Sequence, residues 1–581
     1  MLPEVNMLKG FGHDFNHFFL PPYVTICDID IILQQQRPCR SKFVRVLPKF
    51  VRNKCTVYAN SLDNLVSAMY RQTIANIEPN PLILKGFLEF FNSTILDELA
   101  TLITGIQVHP KIWYNHLTYS QQVKVSKYFK NPDMDITDPM YYTCMCKSEK
   151  QFGDKPKTRC ISDACQYDKF LLGPIIYELQ QHLRSMKGYA PEMTFEDKAA
   201  EYNRWHANGW EIFCLDINGF DRSNGKRLKF KTHFPIYGLI ADLMNLAKLC
   251  DSGKITRNAF MKRCKIKIKD SMLPDSVKEQ SYIIIEATVF SGRSCTTAIN
   301  TIVMSAIMRY IMEVILGLRP DEYGLMCCGD DSIVGYPSGI PREYLKEIIY
   351  QVFAQPGHYT HPMLYPFIQH GIGMQVKFIL QGSVQDADFC STITFYCEVC
   401  KKYRLLKKLD KFAASIIYSI KAAGYSEKNF KAYMQAMYVG NKHWINDLPI
   451  YTQLNNLLYT GSKDIIDFKD GNKKEKIPLN YDEQLHYEKY YINAYNKDYD
   501  KYIKIFGNHD DAYTFAGKHQ ESYQCCSDAL MNRFKTLYGW SINDIQVIIH
   551  TLCNMEPTTT IPLLDVGFEY YENTYLTSLK M

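Results

Sequence analysis

The stretch "MCCGDDSIVGY", Met326 to Tyr336, decides how this chain is read. Two carboxylates, Asp330 and Asp331, follow a glycine between apolar flanks. Leu325 to Cys328 reads as one strand, and Ile333 and Val334 belong to the next. Gly329 supplies the permissive backbone of a tight turn. Two negative charges then stand side by side at a hairpin tip, where like charges repel. A lone G-D-D is ordinarily a solvated turn, so its meaning depends on the neighbouring stretches.

A second acidic pair, Asp216 and Asp221, lies upstream in "FCLDINGFDRS". A strand ending at Asp216 projects that carboxylate from its C-terminal end, and Gly219 lets the chain turn. Asp216, Asp330 and Asp331 can jointly hold two Mg²⁺ ions, each taking one or two carboxylates plus substrate phosphates. Two such ions ~3.5–4 Å apart clamp the attacking and leaving oxygens of a phosphoryl displacement. Between the acidic stretches, "SGRSCTTAINT" places Thr296 and Asn300 at i, i+4, on one helical face behind the Ser291-Gly292 loop. Asn300 is then a hydrogen-bond partner for Asp221 and a ribose hydroxyl. In "KPKTRCIS", Lys155, Lys157 and Arg159 alternate, so an extended backbone aims them the same way, toward a triphosphate.

The 581 residues, 46% of them hydrophobic, suit about three or four domains or one large multi-lobed enzyme. A net charge of +6 is compatible with a polyanionic partner without being diagnostic of one. No basic, apolar, small-residue order opens the chain, so the nineteen cysteines read as reduced thiols in a cytosolic compartment. The C-x-x-C at Cys397, with Cys390, is a possible zinc set, but the ordinary reading as buried thiols outweighs it. No transmembrane segment is expected: Arg309 and Glu313 interrupt the most apolar run, Thr297 to Leu318, making it a buried helix. No Walker A motif, nucleophile elbow or H-E-x-x-H occurs.

Elsewhere the periodicity predicts helices over Phe170 to Met186 (after Gly173-Pro174) and Phe234 to Cys250. It predicts strands over Glu211 to Ile217, Lys262 to Asp270 and Tyr282 to Phe290. "KKYRLLKKLDKFAASIIYSIKAAGY", from Lys401, reads as one basic amphipathic helix, and Thr460 to Pro478 as a linker. The expected class is α+β, with a mostly helical C-terminal third.

The order "KPKTR", "DINGFD", "SGRSCTTAIN", "CCGDDSIV" resembles motifs F, A, B and C of viral RNA-dependent RNA polymerases. It is most similar to those of positive-strand RNA viruses of the tombusvirus, nodavirus and flavivirus-like group. "GMQVKFILQGSVQDADFCS" resembles the following D and E region. The resemblance covers about Lys155 to Cys400 and implies a right hand with an antiparallel palm sheet. Residues 1–203 would form fingers, 204–232 palm, 233–281 a fingers insertion, 282–400 palm, and 401–581 thumb and tail.

The resemblance further implies template-directed nucleotidyl transfer from nucleoside triphosphates to an RNA 3′-OH. Two Mg²⁺ ions, or Mn²⁺ as substitute, would sit on Asp216, Asp330 and Asp331. Lys377 would be the general acid. Lys155, Lys157, Arg159, Asp221, Ser291, Thr296 and Asn300 would bind the nucleotide. Gly292, Lys401, Lys402, Arg404, Lys407 and Lys408 would lie along the RNA. Partners would be template and nascent RNA, other viral replication proteins and, through them, host membranes of cytoplasmic replication complexes. For the tail "VGFEYYENTYLTSLKM" the ordinary reading is a thumb-packing segment, and the alternative is an aromatic element that folds back into the cleft to support primer-independent initiation. The rivals are a reverse transcriptase, which Asp221 and Asn300 argue against, and a non-catalytic RNA-binding scaffold, which the full acidic set argues against.

Overall fold

The computed structural model describes residues 76–117, 119–130, 141–147, 150–152, 159–164, 166–223, 295–356, 368–419, 447–461 and 524–554. It also describes the short strands 24–26, 42–45, 55–57, 264–268, 282–285 and 563–565, Gly292, and scattered positions in 228–239 and 433–445. Lys155, Lys157, Ser291, the 462–478 linker and the C-terminal tail lie outside the described residues.

The architecture is mixed α+β. The central strands are β1 (Gly188–Tyr189), β2 (Trp210–Ile217), β3 (Gly324–Cys328), β4 (Asp331–Pro337) and β5 (Val376–Gly382). They pair in the order β5-β2-β4-β3-β1. Every pairing is antiparallel except β3 with β1. The sheet is therefore mixed rather than purely antiparallel as expected. Gly188–Tyr189, too short to read as a strand, adds a parallel edge.

Strand alternation sends neighbouring side chains to opposite faces. Phe213, Leu215 and Ile217 of β2 enter one core, with Val334 and Tyr336 of β4. That core is filled by helix α3 (Thr296–Arg309), joined by α1 (Gln166–His182) and α4 (Arg342–Val352). Ile212, Cys214 and Ile333 enter the opposite core, against Tyr202 and Trp205 of α2 (Phe195–Ala207). A reciprocal cap starts α2: Thr194 N–H donates to Asp197 Oδ2 at 2.7 Å, and Asp197 N–H to Thr194 Oγ1 at 3.0 Å.

α3 continues as a wider π-helical stretch over Tyr310–Ile315. The helix from Thr296 to Ile315 is long and apolar enough to cross a membrane, yet 83% of its apolar window is buried inside the fold. Arg309 is buried in a charged cluster. It donates to Glu98 and, at 2.9 Å, to Glu313 Oε1, which also accepts from the Tyr323 hydroxyl at 2.6 Å. Paired in this way, the charges are tolerated in the core.

Two further expectations need correction. α1 begins before Gly173-Pro174 and carries Pro174 inside it. A proline costs one backbone hydrogen bond there, and the buried face of Leu172, Ile175, Ile176 and Leu179 offsets the loss. The basic stretch from Lys401 is not one helix. Lys402–Lys407 is strand β7, paired antiparallel with β6 (Thr392–Cys397), and helix α5 begins only at Leu409 and ends at Ile417. Tyr403 and Leu405 face the α2 core, and pairing with "TITFYC" decides the conformation.

A second five-stranded sheet runs in the order Val24–Ile26, Tyr282–Ile285, Cys264–Ile268, Tyr141–Cys146, Cys160–Ala164. The expected Lys-Ile alternation is its middle strand. Beyond β7, helices α5, α6 (Tyr451–Thr460), α7 (Ser527–Tyr538) and α8 (Ile542–Cys553) enclose a separate core. Phe412, Trp444 and Tyr451 form its aromatic centre, with ring centroids 4.9–6.5 Å apart.

Gly324 and Gly335 form a cross-strand pair under the Trp205 indole. A Cβ on Gly335 would stand 2.6 Å from Trp205 Cδ2, and that indole is fully buried. Gly335→Ala is expected to destabilise the fold by ~1–3 kcal/mol through overpacking. Urea denaturation measures the loss, and an unchanged midpoint would contradict this packing.

Candidate active site

β3 and β4 close on a two-residue turn, Gly329-Asp330, between the paired Cys328 and Asp331. Gly329 has φ +66°, and it alone of the two central residues is in the left-handed region. Its N–H donates to Thr301 Oγ1 at 2.9 Å, and Thr301 in turn donates to Thr297 O at 2.7 Å. The turn is thus pinned to the first turns of α3, a role for Thr301 that the sequence did not suggest.

The β4–β2 register brings Ser332 opposite Leu215, so Asp331 and Asp216 are the next residues on adjacent strands. By alternation both lie on the face of Cys214 and Ile333. β5 flanks β2 on the other side, and its register slips between Val376 and Phe378, leaving Lys377 as the extra residue of a bulge. A bulge re-aims a side chain, and the Lys377 ammonium donates to Asp216 Oδ2. The next turn is held in the same way. Asn218 N–H donates to Gln375 O at 2.8 Å, and Ser223 Oγ donates to Asn218 O at 2.9 Å. Gly219 takes φ +61° between them. This loop presents Asp221, whose Oδ1 accepts from Asn300 Nδ2 at 2.6 Å. The expected bond between the two stretches is present. The Asn300 amide oxygen is buried and finds no partner among the described residues.

The electrostatics follow from this crowding. Burial raises Asp331 to about 6, and the charges of Asp330, Asp216 and Asp388 add to the effect. Burial also raises Asp330, with Asp216 adding to it, while Arg159 and Lys377 pull it back. Asp388 precedes β6 and is ion-paired to Lys408 at 2.6 Å. Neither Asp388 nor its pairing was foreseen, because only the folded chain brings residue 388 beside residue 331.

Of the expected nucleotide-binding residues, Arg159 is exposed and near enough to act on Asp330. Thr296 opens α3, and Gly292 lies just ahead of it. The expected RNA-binding row is dispersed. Lys401 pairs with Glu398 at 2.8 Å, Lys408 with Asp388, Lys402 is exposed, and Arg404 and Lys407 are half-buried. Burial lowers the Lys407 ammonium, with Lys411 adding to it. With Lys401 in the turn, Lys402, Arg404 and Lys407 on β7 and Lys408 just past it, these residues do not form the expected helical face.

The three carboxylates do not close into one chelating set. Among the described residues, the only His, Cys, Asp or Glu ligand atoms gathered tightly enough for that are four cysteines elsewhere. No known protein family matches this chain, and no curated protein matches its sequence.

Asp331 is raised in the folded state, so its contribution to stability is fully present below the ordinary carboxylate value and lost as pH rises through about 6. Asp331→Asn removes the ionisation. Without added divalent cation, the variant is expected to be ~1–3 kcal/mol more stable than the parent at pH 8, with the gap closing toward pH 4. A variant less stable at pH 8 would contradict the crowding of charge.

Proposed function

We propose that this chain is an RNA-dependent RNA polymerase of a positive-strand RNA virus, with residues 204–232 and 282–400 as palm, 1–203 and 233–281 as fingers, and 401–581 as thumb and tail. The observation that carries the reading is the junction of three separate stretches. Asp331 follows Asp216 in register, the Gly329 turn is tied to α3, and Asn300 of α3 is bonded to Asp221. A solvated turn needs none of these links.

In kind the donors suit a hard cation, since Asp216, Asp330 and Asp331 offer only oxygen, and an ion would have to draw them closer together than they stand in the fold. Their charge, only partly offset by Lys377 and Arg159 and visible in the raised Asp331, is what a divalent ion would relieve. Bound there, Mg²⁺ would supply Lewis-acid activation of the primer 3′-OH and neutralise charge on the leaving pyrophosphate. Lys377 meanwhile occupies the cation position beside Asp216. Were metal and nucleotide to take up the carboxylates, Lys377 would be free to donate a proton to the leaving pyrophosphate. Arg159, near enough to act on Asp330, carries a fork suited to phosphate. Asp221 and the unpartnered Asn300 amide oxygen offer acceptors to a ribose 2′-OH, so ribonucleotides are preferred.

Nucleotide incorporation on a short RNA, with and without primer and with Mg²⁺ varied, tests the reading. Ribonucleotides should be incorporated in preference to deoxyribonucleotides. Asp330→Asn should lower incorporation by at least ~10³-fold while leaving RNA binding within a few-fold of the parent. Incorporation by the variant at the parent rate, or a deoxyribonucleotide preference, would overturn it.

A further inference from the structure

Four cysteines from two distant stretches meet at the tip of the β6–β7 hairpin. Cys397 ends β6, and Cys400 lies in the turn to β7. Cys525 and Cys526 lie in a single 3₁₀ turn, Gln524–Cys526, that leads into α7. All four sulfurs lie within 4.8 Å of one another. The Cys525 and Cys526 sulfurs are 3.7 Å apart, and those of Cys400 and Cys526 are 4.0 Å apart. A disulfide requires about 2.05 Å, so these are free thiols. A tetrahedral zinc site with Zn–S near 2.3 Å has sulfur–sulfur edges of about 3.8 Å.

We propose that Cys397, Cys400, Cys525 and Cys526 form a structural zinc site that fastens the β6–β7 hairpin to α7.

The surroundings suit thiolates. The backbone N–H groups of Val399 and Cys400 are directed at the Cys397 sulfur, and Lys401 takes φ +52° as the turn closes. Cys526 is the N-cap of the 12-residue α7, where the helix dipole favours negative charge. The Arg404 guanidinium acts on Cys400 from the next strand and offsets part of the charge of four thiolates. Cys397 and Cys526 are fully shielded from solvent, while Cys525 is exposed, leaving a path for the ion. Soft thiolates select zinc over Mg²⁺. Sulfurs this close suit one ion better than an iron–sulfur cluster, whose bridging sulfides hold the cysteines further apart. Binding is an exchange without redox change: Zn²⁺ forms four Zn–S bonds and the four thiols release four protons to solvent.

Cys390, the expected third ligand, is not part of this set. It precedes β6 at the other end of the hairpin and is hydrogen-bonded to Cys328. The site joins residues more than a hundred positions apart, at a place where β6, α6 and α7 share one core. Asp388, whose charge acts on Asp331, lies just before the hairpin's opposite end, so the ion would anchor the hairpin from its far tip. The proposal does not depend on the polymerase reading.

The full chain, purified under reducing conditions and refolded with excess Zn²⁺, should retain about one zinc per molecule. Refolding with Co²⁺ should give an intense thiolate-to-metal charge-transfer band and the visible bands of a tetrahedral site. Cys525→Ser is the informative variant, because that side chain is exposed and its loss leaves the core intact. It should weaken zinc retention at least ~10-fold against a competing chelator with an unchanged circular-dichroism spectrum, whereas Cys553→Ser should retain zinc like the parent. A folded parent that keeps less than half an equivalent of zinc and gives no cobalt charge-transfer band would overturn the proposal. So would retention in Cys525→Ser equal to the parent's.

Discussion

The central constraint in this molecule is the enforced proximity of like charges. Asp216 sits one residue from the end of β2, and Asp331 begins the adjacent β4. Asp330 occupies the turn between β3 and β4. Separated carboxylates would be solvated, but these are partly buried, and Asp331 is raised as a consequence. The fold holds them there by rigid means: sheet register on one side and the Thr301 hydroxyl on the other. In the folded chain the offsetting positive groups are Lys377, on its bulge, and Arg159.

Around this point the elements have separable duties. β2, β3 and β4 set the spacing of the carboxylates. α3, buried on nearly every face, carries Thr301 and Asn300 and so fixes both the turn and the Asp221 loop. β5 supplies Lys377, and Gln375 just before it accepts from the Asn218 N–H, so that Asp216 and the Asn218 turn are held from the other side. The β6–β7 hairpin leans on α2, where Tyr403 N–H donates to Asn203 Oδ1 at 2.8 Å. Asp388 lies just before its open end, and at its tip Cys397 and Cys400 meet Cys525 and Cys526 from the turn that leads into α7. The C-terminal helices pack against that tip.

Much of this was legible from the residues themselves. A short apolar run gave β2, period-two alternation gave the Lys-Ile strand, and the apolar run through Arg309 gave a buried helix. Gly329 between two apolar runs gave the hairpin, and matching polar positions gave the Asp221–Asn300 bond. What failed was non-local. "KYRLLK" carries helical and strand periodicities together, and only its pairing with Thr392–Cys397 settles the matter. The bulge at Lys377 depends on the register of a neighbouring strand. Asp388 and the Cys525–Cys526 pair gain their meaning from residues distant in sequence, and no local pattern announces such meetings. Pro174 misled because a proline inside a helix is disfavoured locally, and the burial that offsets it lies in tertiary packing.

The central claim is that the carboxylates of Asp216 and of the Asp330 turn share a divalent ion. Replacing Mg²⁺ with Fe²⁺ and adding ascorbate generates hydroxyl radicals at the metal, which cut the backbone within reach. The account predicts two dominant cleavages, one near residue 216 and one near residue 330, both suppressed by excess Mg²⁺. Cleavage at only one of these stretches, or at neither, would contradict it.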